Sequence, residues 1–440
     1  MKYKSLRSIL SLLLIAALAL QLAGCAGGPA APAEPGDEPG STAALPDPGS
    51  SVPVNLLSGV TPNREEPGSV SPEAAAAAAD FALRLFRAGN EPERNTLISP
   101  LSVLWALAMT ANGAEGGTRT QMESTLGLRT DLWNEYFLAY LAALSAADSP
   151  LKAANSIWFT ADPRFTVNQA FLQTDADFYG ADLYQAPFDD ATLDAINEWV
   201  REKTDGMIPR ILDQIPQAAV MYLVNALAFD AEWEVPYQRQ DVSAGNFFPA
   251  NGEKRLVDFL SGTEHLYLED ELATGFIKPY AGGKYAFAAL LPREGVSLED
   301  YVNSLDGAAV QKLLSGAEEV TVYTALPKFE TQYDTELSNV LKSMGMELPF
   351  DEARADFSGL GTSTAGNIYV SRVIHKTFLS VSEEGTRAAA ATVVEMADGC
   401  ALIEDYKTVT LDRPFLYMLI DTETQLPFFL GTMLDPAGEA

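Results

Sequence analysis

Apolar and polar positions alternate along this chain with three successive textures. After Lys2, Lys4 and Arg7, an apolar run interrupted only by Ser11 extends from Ile9 to Leu20. Residues 26 to about 69 show no period at all and are dominated by Gly, Pro, Ala and Ser with scattered acids. From Ser71 onward, periodic segments follow one another to the end. Ser71-Pro72-Glu73 is an N-cap with proline in the first turn, and the spacing of Phe81, Leu85 and Phe86 predicts a helix running to Gly89. Asn95 to Ala106 reads as a short strand turning into a helix that is capped by Ser99 and opens at Pro100. Helical periods recur at 118–126, 132–146, 167–179, 196–203, 297–305 and 334–344. Strands are predicted at 154–159, 219–229, 284–291, 319–325, 367–382, 408–411, 415–421 and 427–433, of which 219–229 and 284–291 are apolar enough to be central. There is no internal repeat and no second Pro/Gly linker, so residues 70–436 are expected to form one α+β domain.

Composition refines this picture at its N-terminal end. The first apolar run is too short and wrongly flanked for an ordinary spanning helix and reads as a secretion signal. It closes in Leu22-Ala23-Gly24-Cys25, which resembles the bacterial lipobox. That resemblance implies a signal peptide over 1–24, acylation of the Cys25 thiol, and a protein anchored to a membrane from outside the cytoplasm. Residues 25–69 are then expected to be a disordered tether. The chain has two cysteines, Cys25 and Cys400, so acylation of the first leaves no intramolecular disulfide. Stability must come from the core, for which 440 residues with 47% hydrophobic content are ample. A net charge of −31 argues against nucleic acid as a partner and against electrostatic docking on anionic lipid.

Enzymatic chemistry finds little material. His265 and His375 are the only imidazoles, and no Gly-x-Ser-x-Gly elbow occurs; Gly361 to Gly366 misses that spacing by one residue. Asp175, Asp177 and Asp182 lack the regular oxygen spacing of a calcium loop, and no Cys/His pair has zinc-site spacing. No phosphate-binding glycine loop is present, so neither metal nor cofactor is expected, and no catalytic residue. One stretch stands out instead, Glu383 to Cys400, with four consecutive alanines between Gly385-Thr386 and Thr392-Val393-Val394. Alanine favours a surface helix. A two-residue period competes with it: Thr386, Ala388, Ala390, Thr392, Val394 and Met396 form an uncharged side, while Arg387 and Glu395 share the other.

Taken together, the motifs resemble the serpin family over nearly all of residues 71–435. They include Ser99-Pro100-Leu101-Ser102, Ala108-Met109-Thr110-Ala111-Asn112-Gly113-Ala114, Ile196-Asn197-Glu198-Trp199-Val200 with Thr204-Asp205-Gly206, and Leu223-Val224-Asn225-Ala226-Leu227-Ala228-Phe229. Further on come Trp233-Glu234-Val235-Pro236-Tyr237, Leu326-Pro327-Lys328-Phe329, Asp356-Phe357-Ser358-Gly359-Leu360, Val373-Ile374-His375-Lys376-Thr377-Phe378, Arg413-Pro414-Phe415-Leu416 and Pro427-Phe428-Phe429-Leu430-Gly431, in the family's order.

The resemblance implies a serpin fold of three sheets and eight or nine helices with an exposed reactive-centre loop. It also implies a monomeric suicide inhibitor whose partner, a serine protease, is trapped covalently when the cut loop inserts into the central sheet. On this sequence the hinge falls on Glu383, Glu384, Gly385, Thr386, Arg387, Ala388, Ala389, Ala390 and Ala391. Gly385 supplies backbone freedom, and no proline follows before Gly399. Arg387 departs from the acidic residue common at its place, but the period puts it on the solvent face. Counting from the hinge puts the scissile bond at Gly399-Cys400; counting back from Arg413 shifts it towards Ala401, Leu402 and Ile403. Small residues there suit elastase-like or subtilisin-like targets, and no Arg or Lys lies between Arg387 and Lys407 for a trypsin-like one. Cys400 is a residue a protease reads, a redox-sensitive thiol or simply a small side chain. Ser99, Ser102, Asn225 and His375 match the polar shutter beneath the family's central sheet. The alternative function is a non-inhibitory surface scaffold of the same fold.

Overall fold

A computed structural model describes residues 52–64, 66–145, 149–215, 221–250, 252–364, 366–386 and 405–437. The helices begin where their capping residues lie. Ser71 Oγ accepts from Ala74 N at 3.1 Å with Pro72 in the first turn, and Pro72–Gly89 buries Phe81, Leu85 and Phe86. Pro100–Ala111 is capped by Ser99 and has every residue buried, as an all-round apolar helix must. Gly116–Leu126 stops at Gly127, whose φ of 84° is left-handed.

Among the described residues there are nine α-helices and three sheets. One sheet places its strands in the order Val54–Asn55, Asp182–Ala186, Leu151–Thr160, Met221–Phe229, Val373–Val381, Gly385–Thr386 and Ala231–Glu232, with Phe329–Glu336 on the other side of Val373–Val381. A nine-stranded sheet contains Tyr285–Pro292, Phe415–Asp421 and Leu426–Met433, all but fully buried, and packs its aromatic residues against the first sheet: Phe229 meets Tyr285 and Phe428 ring to ring. A third, small sheet joins Gly361–Ser363 to Phe165–Val167.

Two expectations need correction. The tether does not run unstructured to residue 69. Val54–Asn55 adds a short antiparallel strand to the open edge of Asp182–Ala186, and Leu56 N donates to Leu183 O at 2.7 Å. Further along, Asn63 N bonds Asp177 Oδ1 at 2.7 Å and the Arg64 guanidinium reaches Ala176 O. Val54-Asn55-Leu56-Leu57 is a brief apolar run inside a Pro/Gly-rich composition. An edge strand with unpaired backbone groups takes it up, and Leu56 and Leu57 pack on the core. The second correction concerns 334–344. Phe329–Glu336 is a strand with alternating burial, and the helix is only Ser338–Ser343. The period of two in Phe329, Thr331 and Tyr333 carried that segment into the sheet, beyond where the helical spacing began. The helix Gly307–Ser315 and the strands Val242–Phe247, Arg255–Glu269 and Ala273–Pro279 complete the fold without having been individually predicted.

Candidate functional site

The site is a slot in the eight-stranded sheet that holds Met221–Phe229 and Val373–Val381. Met221–Phe229 and Val373–Val381 run parallel, yet their ladder consists of Val373↔Leu223 and Ile374↔Val224 and goes no further. Asn225 and His375 are the next residues on each strand and so stand at the apex of the split. At the opposite end, Gly385–Thr386 returns antiparallel to the strand it has just left, pairing Thr386 with Val381. Its other edge pairs with Ala231–Glu232, through Gly385↔Glu232 and Thr386↔Ala231. Among the described residues the sheet is thus closed at both ends and unpaired between them.

The mouth of the slot is tightly held. Trp233 N donates to Glu384 O and Tyr237 N to Glu383 O, both at 2.9 Å, and the Trp233 indole Nε1 donates to Ser382 O at 3.0 Å. Lys328 Nζ pairs with Glu383 Oε1 at 2.8 Å. Burial pushes the Glu383 carboxyl up, but the hydrogen bond and charge of Lys328 outweigh it and its pKa is lowered overall. Thr386 is buried and its hydroxyl lies 2.5 Å from the Tyr280 phenol. Gly385 is needed for a reason the sequence did not disclose: a Cβ there would sit 2.1 Å from Ala231 O. Close approach to the neighbouring strand, more than freedom to bend, fixes glycine at this position.

At the apex, His375 is buried and its Nε2 accepts from Ser99 N at 3.0 Å. Burial lowers its pKa to about 4, which keeps the ring neutral and able to accept. Ser99 Oγ accepts from Ser102 N, and Ser102 Oγ donates to Ser99 O at 3.0 Å. Three of the four predicted shutter residues therefore form one bonded group. The fourth, Asn225, is adjacent in register but spends its side-chain amide on Asn155 across the Leu151–Thr160 strand. Asn155 was missed by sequence reasoning; the signal was a buried asparagine between Ala154 and Ser156 in a strand that pairs residue for residue with Met221–Phe229. Thr377 was missed too, and it ties the slot wall to the layer below by donating to Leu97 O at 2.7 Å. Arg387, Ala388, Ala389, Ala390 and Ala391 of the hinge, the scissile candidates Gly399 to Ile403, and Cys25 lie outside the described residues.

This arrangement suits rearrangement better than catalysis. The buried imidazole already takes a backbone hydrogen, and the nearby hydroxyl of Ser102 is committed to a carbonyl. Among the described residues no three His, Cys, Asp or Glu side chains gather as a metal site would require.

Comparison with known proteins gives a consistent result. The family model described as "Serpin (serine protease inhibitor)" matches residues 76–436. An uncharacterized serpin-like protein of Thermococcus kodakarensis is 30% identical over 437 residues, covering 97% of this chain and 99% of that protein. Leukocyte elastase inhibitor A of Mus musculus is 30% identical over 379 residues, covering 81% of this chain and 97% of the relative. Among solved structures, the thermophilic serpin tengpin in its native state is 42% identical, with a TM-score of 0.83 over 87% of this chain and 99% of that one. Tengpin in its latent state gives a TM-score of 0.75 at 40% identity, over 84% of this chain and 100% of that one.

Proposed function

The chain belongs to the serpin family, whose members are mostly protease inhibitors, and from that premise we propose that it is a suicide inhibitor of elastase-like or subtilisin-like serine proteases. The target's serine attacks the reactive-centre loop at Gly399-Cys400 or one of the neighbouring bonds to Ile403. Its hydroxyl becomes an acyl ester and the new amine leaves with the C-terminal fragment. Insertion of the N-terminal side of the cut loop then competes with hydrolysis of that ester by water.

The register at the slot's mouth carries this reading. Continuing the Val381↔Thr386 pairing inward sets 388 opposite 379, 390 opposite 377 and 392 opposite 375. Continuing the Thr386↔Ala231 pairing inward sets 392 opposite 225. An inserted strand in this register would bring the same residue, Thr392, to the apex from both walls, between His375 and Asn225. Opposed residues of a ladder share a face, and Val381, Leu379, Thr377 and His375 are the buried ones of their strand. Ala388, Ala390 and Thr392 would therefore turn inward, while Arg387 would lie beside Ser380 on the outer face. Progress beyond Thr392 towards Gly399 requires the Val373↔Leu223 and Ile374↔Val224 ladder to part. The apex is accordingly a gate that the last part of the strand must open.

Acylation of Cys25 would tether this inhibitor to the outside of a membrane, where secreted proteases act. The testing experiment mixes the full-length protein with elastase-like and subtilisin-like proteases, followed by denaturing gels and mass measurement of the released peptide. A denaturant-resistant adduct with one released peptide supports inhibition and fixes the bond. Cleavage without adduct, and without a rise in melting temperature, would reduce the protein to a scaffold.

A further inference from the structure

Beneath the hinge lies a buried ion pair that the insertion mechanism does not itself require. Lys278 Nζ and Glu264 Oε1 are 2.8 Å apart, with side chains 4% and 7% exposed. They sit on Ala273–Pro279 and Arg255–Glu269, two strands whose shared ladder ends at Ile277↔Leu266, so the pair bridges the fork where the strands diverge. Lys278 does more than meet Glu264. Its ammonium donates to Val235 O at 3.1 Å and lies over the rings of Tyr237 at 4.3 Å and Trp233 at 5.3 Å. Trp233 and Tyr237 are the residues whose backbone N–H groups hold the carbonyls of Glu384 and Glu383, and the Trp233 indole holds Ser382. One cation thus grips three points of the 233–237 turn, and that turn grips three consecutive carbonyls immediately before Gly385.

The pair makes a poor stabiliser. Burial raises the Glu264 carboxyl by more than the neighbouring ammonium lowers it, so the cost of removing this charge from water is not fully returned. An apolar pair of similar size would fill the same space at no such cost, which directs attention to what the ammonium positions.

We propose that Lys278, held by Glu264, is a positioning residue for the hinge: it fixes the Val235–Tyr237 turn and thereby keeps Gly385–Thr386 seated at the mouth of the slot, ready to lead the cut loop inward. This rests on the insertion reading above for its consequence in inhibition, but not for its effect on the turn. Lys278→Met alone would strand a buried carboxylate and risk misfolding, so the variant is Lys278→Met/Glu264→Leu. Three readouts are taken on the variant and the parent protein. The urea midpoint tests whether the fold survives. Backbone hydrogen exchange at Trp233 and Tyr237 reads the turn. The fraction of protease encounters ending in a covalent adduct rather than in cleaved inhibitor reads insertion.

The expected result is an unchanged or higher urea midpoint together with exchange at Trp233 and Tyr237 faster by about tenfold, the factor equivalent to one lost hydrogen bond. Exchange in Tyr285–Pro292 stays as it was, and a larger share of encounters ends in cleavage. Unchanged exchange at the two amides overturns the proposal. So does faster exchange with an unaltered adduct fraction, because the turn would then be loose without consequence. If the parent protein forms no adduct with any protease, the inhibitor reading fails separately, and the exchange at Trp233 and Tyr237 alone decides whether Lys278 positions the hinge.

Discussion

Acidification should open the slot at its apex, and His375 sets both the pH window and the magnitude. The imidazole is fully enclosed, its Nε2 accepts from Ser99 N, and burial lowers its pKa from 6.5 to about 4. The folded pKa is depressed below the unfolded one. Above 6.5 neither state binds the proton; between 6.5 and 4 the unfolded chain binds it and the fold does not. Stability is therefore lost as pH falls through this window. A separation from 6.5 to about 4 is worth roughly 3 kcal/mol, most of which is gone by pH 4.5. Protonation also replaces the acceptor facing Ser99 N with a second donor, so the wall and the helix cap beneath it separate at the gate. Urea unfolding of the parent protein and of His375→Gln, followed by circular dichroism between pH 7.5 and 4.5, isolates this contribution. Carboxylates held low by partners, such as Glu91 beside Arg94, titrate equally in both proteins and cancel in the difference. The parent should lose about 2–3 kcal/mol more than the variant over that range. A difference below about 1 kcal/mol would refute the assignment of a neutral, bonded imidazole to the apex.

Gly385→Val places a Cβ where Ala231 O already lies 2.1 Å away, so the hinge leaves the sheet and protease mixtures yield cleaved protein in place of adduct on denaturing gels. Thr386→Arg puts a charge at a position with 1% exposure and should likewise convert inhibitor to substrate, with no gain in melting temperature after cleavage. Deleting residues 52–64 removes the added edge strand and the partly buried Leu56 and Leu57, and thermal or urea unfolding should show a loss of about 2 kcal/mol. Asp175 is buried with both carboxylate oxygens unpartnered, and burial raises its pKa well above the usual range. Its folded pKa being raised, stability is lost as pH rises past the unfolded carboxylate value, and Asp175→Asn should flatten that slope and raise the midpoint at neutral pH.

Local chemistry made much of this architecture readable from the sequence. Ser71 with Pro72 and Ser99 with Pro100 announced their helices because a cap needs only one side chain and the next few amides. Of the residues that the period of two puts on the uncharged side, Thr386 is described, and it is buried opposite Val381, since side-chain alternation is a property of any extended chain. Ser99, Ser102 and His375 were legible as a group only through family resemblance, because nothing local in the chain brings residues so distant in sequence together.

Tertiary structure decided the rest. Whether Val54-Asn55-Leu56-Leu57 stays a linker depends on an edge strand elsewhere that offers unpaired backbone groups, and no composition rule reports that edge. Gly385 looks like a hinge in sequence, but the reason for glycine is the carbonyl of Ala231, more than a hundred residues earlier in the chain. The partnership of Lys278 with Glu264 and the turn above them arises from strands diverging in three dimensions. Sequence alone determined most of the helices and the central apolar strands, because those follow from propensity and period, whereas Phe329–Glu336 became strand through its place in the sheet. The slot itself is a matter of which strands fail to pair, and a missing pairing leaves no mark on either strand until both are placed side by side.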